Sequence, residues 1–132
     1  MSATPSADHW PAPGVHALGK HDPAALAGAA ASRGQRWIEI DLGACADKRS
    51  ALRAIGHALG FDARFGANLD ALHDSLGDLP DREPDPGWAI RLHGLSTTGA
   101  LDARGRETLL EVFRAGAAEL ADAARELRVF YD

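Results

Sequence analysis

Residues 65–78 read "FGANLDALHDSLGD". Leu69, Leu72, Leu76 and Leu79 recur at spacings of three and four, the repeat of one apolar helical face. Asn68 stands before them as a helix cap, because its side-chain oxygen can accept from the free N–H groups of the first turn. Asp70, Asp74 and Asp78 recur every fourth residue. Steps of four turn about 400° around a helix, so these carboxylates form one slowly drifting row on the side away from the leucines. Each like-charged pair at that spacing costs an isolated helix roughly 0.2–0.5 kcal/mol. The positive end of the helix dipole offsets this for Asp70, but it fades within the first turn and leaves Asp74 and Asp78 without local compensation.

The row sits inside a wider imbalance. Residues 62–85 hold seven acids (Asp62, Asp70, Asp74, Asp78, Asp81, Glu83 and Asp85) against two bases, Arg64 and Arg82. That difference equals the formal net charge of the whole chain, −5, and the other residues balance at twelve acids and twelve bases. A charged helix face is usually a solvated one. The concentration of the entire imbalance here, with no basic residue four positions from Asp70 or Asp74, favours a surface that attracts a basic partner.

Outward from this helix, the rest of the chain reads as alternating strands and helices. "GVHAL" at 14–18 alternates weakly, as a short edge strand does. "HDPAALAGAAASRG" at 21–34 offers Asp22 as a cap, Pro23 at the first helical position and Gly34 as a stop. "QRWIEIDL" at 35–42 and "WAIRLHGL" at 88–95 are buried-strand candidates, and "LRVFYD" at 127–132 a terminal strand. "ADKRSALRAIGHALGF" at 46–61 carries an apolar helical face ended by Gly60. "PDREPDPG" at 80–87 reads as a proline-rich polar loop. "RETLLEVFRAGAAELADAAREL" at 106–127 reads as the longest helix, with Leu109, Leu110, Phe113, Ala117 and Leu120 on its apolar stripe. Strands separated by helices require crossover connections and a mainly parallel sheet. The expected fold is a small α/β layer with three core strands and a possible fourth at the N-terminus. Residues 1–13 are expected to be a flexible arm and residues 14–132 a single domain.

A length of 132 residues and 45% apolar content suit one soluble domain. An acidic balance argues against direct nucleic-acid binding, which needs a basic face. No apolar run approaches the roughly 18 residues of a membrane span, and Cys45 is the single cysteine, which fits a reducing cytoplasm. The scattered His16, His21, His57 and His93 form no HxH or HExxH pattern, so no metal site and no cofactor are expected. Asp70 and Asp74 stand close enough to act as an acid and base pair, but no nucleophile or oxyanion motif accompanies them. No catalytic residue is assigned, and the protein reads as a non-enzyme. Trp37, Trp88 and Phe113 read as core. Arg104, Arg106 and Arg114 interleave with Glu107 and Glu111, as on a solvated helix face.

The run "FGANLDALHDSL" at 65–76 resembles the signature helix of the barstar family, intracellular inhibitors of ribonucleases. "ETLLEVFRAGAAEL" at 107–120 is similar to the family's later long helix, and the order of elements from about residue 37 also matches. Longer bacterial members add a strand and helix before this point, as residues 14–35 do here. The resemblance implies occlusion of a ribonuclease active site in a one-to-one complex, the carboxylates standing in for RNA phosphates. Asp74 would be the central carboxylate and Asp70 its partner one turn earlier. Asn68 would cap the helix, Gly66 would permit the turn before it, and Phe65 would brace the loop. Asp78, His73 and Arg64 complete the expected contact set. Three positions depart from the best-known member: Arg64 replaces an aromatic, His73 a tryptophan and Ala115 a glutamate, with Glu119 one turn on as a candidate substitute. His73 reads either as an interface residue that makes binding depend on pH or as a half-exposed polar residue. The departures keep a second reading open, an interaction module of the same fold for another basic protein.

Overall fold

A computed structural model describes residues 10–61, 67–82 and 84–132. The expected strand at 35–42 forms as β2 (Arg36–Asp41), and it alternates: Ile38 and Ile40 are buried on one face, while Trp37, Glu39 and Asp41 point to the other. It pairs with β3 (Gly87–His93), and β3 pairs with β4 (Glu126–Tyr131), placing Ile38, Ile90 and Val129 side by side across the sheet. β1 (Gly14–Ala17) adds to the far edge of β4, giving the order β1-β4-β3-β2 with every neighbour parallel. β3 is buried at every position from Gly87 to Ile90, as a central strand covered on both faces should be.

Parallel neighbours need crossovers, and helices supply them. α1 (Pro23–Ser32) starts at Asp22, whose carboxylate accepts from the Ala24 amide at 3.2 Å. α2 (Lys48–Ala58) starts with a reciprocal cap: the Ser50 amide donates to Asp47 at 2.8 Å, and the Asp47 amide donates to the Ser50 hydroxyl at 3.1 Å. Past its end, Gly60 takes the left-handed φ of +74° that a glycine accepts without strain. α3 (Leu69–Gly77) is the acidic helix. α4 (Leu79–Arg82) is a single turn inside the stretch read as loop, held because Leu79 is buried. α5 (Ala103–Asp122) begins three residues earlier than its apolar pattern suggests, because Asp102 caps it through the Gly105 amide at 2.7 Å. It also stops sooner: Ala124 turns left-handed, at φ +59°, and Glu126 is already registered against Gly87 in the sheet. Pairing with β3 thus overrides the helix propensity of "AREL".

Helices α2, α3 and α5 cover one face of the sheet. Ile55, Leu72, Leu76, Leu109 and Phe113 meet Trp88, Ile90, Leu92 and Val129 there in one continuous core. α1 crosses the other face, where Leu18, Leu26, Ala30, Ala89 and Phe130 form a smaller core flanked by Trp10 and Trp37. The second core encloses a cation. Arg128 is 4% exposed, donates to Pro11 O, Glu126 and Gln35, and lies 4.4 Å from the Trp10 ring. Those partners offset the desolvation that a buried guanidinium would otherwise suffer.

Candidate functional site

The acidic helix is built as its spacing predicts. Asn68 accepts from the Ala71 amide at 2.8 Å, Leu72 and Leu76 are fully buried, and Asp70, Asp74 and Asp78 are exposed. Asp74 is the clearest case, with 84% of its side chain accessible. Asp78 is the C-cap, so its carboxylate adds to the negative end of the helix dipole rather than offsetting it. Ahead of the helix, Ala67 takes φ +51° while 9% exposed. A side chain in that region is strained by roughly 1–2 kcal/mol, so the turn before the helix is held against local preference. Arg64, Phe65 and Gly66, expected to form the adjoining loop, lie outside the described residues.

Among the described residues, no arginine or lysine pairs with Asp70, Asp74 or Asp78. Arg82, one of the two bases in the segment, is occupied elsewhere: it donates to Gly60 O and lies over the Phe61 ring at 5.7 Å. Among the described residues, the row's side-chain neighbour on its own helix is His73. Its Nδ1 is 3.9 Å from Asp74, and its Nε2 is 3.5 Å from Glu119 on α5. His73 therefore bridges two helices instead of standing free in solvent.

The close approach of α3 and α5 makes that bridge possible. A Cβ on Gly116 would meet Leu76 Cδ1 at 2.9 Å, and one on Gly77 would meet the Glu119 carboxylate at 3.2–3.3 Å. Glycine at these two positions lets α5 press onto α3 and lays Glu119 along the acidic helix. Nearer the helix starts, a groove between them is lined by Leu69, Asp70 and His73 on one side and Thr108, Glu111, Val112 and Ala115 on the other. Glu111 thus joins Asp70, although its neighbours in sequence suggested a solvated face. The signal was present in the spacing: Thr108, Glu111, Ala115 and Glu119 recur at three and four along one side of α5. Arg114 pairs with Glu107 at 2.8 Å, as the interleaved charges of a solvated face imply, and leaves Glu111 to the groove.

Little else offers chemistry. Among the described residues, no group of three or more His, Cys, Asp or Glu is placed to hold a metal ion. Burial pushes the Cys45 thiol above its ordinary value, against activation as a nucleophile. Among the same residues, no helix is long and apolar enough to cross a membrane.

The scaffold is a layered α/β fold whose acidic helix is exposed and, among the described residues, unpaired with any arginine or lysine. The family model described as "Barstar (barnase inhibitor)" matches residues 35–132, and the chain belongs to the barstar family. A search of curated proteins finds no match to the chain. The matched region begins one residue before β2 and takes in α2 to α5 and the three strands β2, β3 and β4. β1 and α1 precede it.

Proposed function

We propose that this protein blocks the active site of a ribonuclease-type toxin, in a one-to-one complex formed in the cytoplasm. The acidic face of α3 docks into the cleft that binds RNA. Asp74 and Asp70 occupy positions of substrate phosphates and receive the cleft's Arg, Lys and His side chains, with Asn68 fixing the helix start and Asp78 at the rim. Arg64, Phe65 and Gly66 complete the contact from the preceding loop. Glu119, held beside the row by His73, supplies the acid that Ala115 does not. The observation that carries this reading is the row itself, exposed on a packed leucine back and unpaired with any described arginine or lysine of its own chain. A pre-formed row of this kind costs little reorganisation on binding and speeds encounter with a basic cleft.

The test is titration against a panel of barnase-type ribonucleases, reading inhibition and binding rates. Asp74→Ala should cost about 2–5 kcal/mol of affinity, mostly as faster dissociation. Higher salt should slow association of the wild type. Unchanged dissociation for Asp74→Ala would remove α3 as the docking helix. His73 and Ala115, where the best-known member has tryptophan and glutamate, support a second reading in which the same face receives another basic protein. Binding to a basic deoxyribonuclease, with no ribonuclease of the panel inhibited, would select it.

A further inference from the structure

A second groove opens between the first turns of α2 and α3. Lys48, Arg49 and Leu52 line one wall, and Ala67, Asn68, Leu69 and Asp70 line the other. It shares Asn68 and Asp70 with the docking face, so the two surfaces are continuous, and its two walls carry opposite charge. Lys48 and Arg49 are exposed, and their side chains form no ion pair or hydrogen bond among the described residues. The nearest acid in sequence, Asp47, accepts from the Ser50 amide, which with smaller contributions from Arg53 and Arg49 holds its carboxyl below the ordinary value. Lys48 also reaches a neighbouring groove lined by Asp102, Arg104 and Thr108, which extends the cationic edge toward α5. Local stability accounts for these cations only in part: Arg49 interacts with the capping Asp47, but the first turn of α2 holds no acid, and positive charge there opposes the helix dipole.

We propose that this groove is a second contact of the docking face with reversed polarity. Lys48 and Arg49 receive an Asp or Glu carboxylate that the basic partner carries on the rim of its cleft, over a floor of Leu52 and Leu69. The proposal rests on α3 being the docking helix, and it adds a source of selectivity. An acidic row alone attracts every basic cleft. A cation pair at a fixed offset from Asp70 favours clefts with a carboxylate in register and repels those that present only positive charge.

The sign of one measurement separates this contact from general electrostatics. Lys48→Ala/Arg49→Ala takes the formal charge from −5 to −7. Long-range steering alone then speeds association with a basic partner and leaves dissociation unchanged. A local contact instead makes the complex fall apart faster. The probe is the barnase-type ribonuclease that the wild type inhibits most strongly, with both rates measured at about 0.15 M salt. The double alanine variant should dissociate roughly 5-fold faster or more, and Lys48→Glu/Arg49→Glu faster still. Dissociation unchanged or slowed in both variants overturns the proposal while leaving the α3 reading intact. Unchanged dissociation of Asp74→Ala overturns the reading and the proposal together. Thermal melting confirms folding, since acids in that first turn favour the helix.

Discussion

The two faces of the sheet are covered in different ways. On the α2–α3–α5 face, apolar side chains interlock without a buried charge, and a glycine brings two helices into backbone-to-side-chain contact at Leu76. On the α1 face, a few apolar residues share the space with Arg128, its polar partners and two tryptophans. The first face carries the acidic row, and its three helices lie within the family match; α1 and Trp10, on the second face, precede it. The proposed docking surface works through fixed charges and needs a support that does not yield, and the larger of the two cores lies beneath it.

The sharpest way to break this contrast is to hollow the supporting core. Leu76→Ala should cost about 3–5 kcal/mol in denaturant unfolding and should also weaken partner binding, because the helix above loses its seat. Asp74→Ala should do the reverse, costing about 2–5 kcal/mol in binding while stability stays within about 0.5 kcal/mol of wild type, as a relieved like-charge pair implies. Gly116→Val should destabilise by about 1–3 kcal/mol through overpacking against Leu76, measured the same way. On the other face, Trp10→Ala should lower stability by about 1–2 kcal/mol and leave binding rates unchanged. A comparable loss of binding there would mean the two faces are coupled.

The smallest effect concerns acid. Hydrogen bonds from Arg128 and Gln35 hold Glu126 below its usual value. Burial pushes Asp132 up, but donors from Gly94 N–H, Arg91 and His93 outweigh it and leave its value lowered as well. Both carboxylates lie on the α1 face. A lowered folded value means the stabilisation is complete above the unfolded carboxylate range, near pH 4, and drains away as pH falls through the lower folded values. Hydrogen exchange on acidification below about pH 4 should therefore show β1 and α1 loosening before α3 and α5. Loss of protection in the opposite order would remove the assigned cause.

Much of this architecture was legible because it is written in local chemistry. Asp22 with Pro23, Asn68 and Gly60 set the helix boundaries where their side chains or φ preferences require, and the β-propensity of Trp37, Ile38 and Ile40 marked the strand. The overall likeness of "FGANLDALHDSL" gave the family. What escaped the sequence depends on neighbours far along the chain. The turn at Leu79 forms because that leucine finds the core. α5 ends early because Glu126 is committed to the sheet. Glu111 and Glu119 join the acidic face only because Gly77 and Gly116 let two helices meet, and the left-handed Ala67 carries no sequence signal at all.

The outermost strands have a consequence for how the molecule behaves in company. An all-parallel sheet leaves two unpaired borders, each a template on which another chain could add. Here one border is only four residues long, Gly14–Ala17, with Pro11 and Pro13 just ahead of it, and the other exposes Arg36, Glu39 and Asp41. Brevity with proline on one side and ionised groups on the other both discourage strand addition and fibre growth. Copies of the protein are thereby kept from zipping together, and each remains free to meet a different molecule.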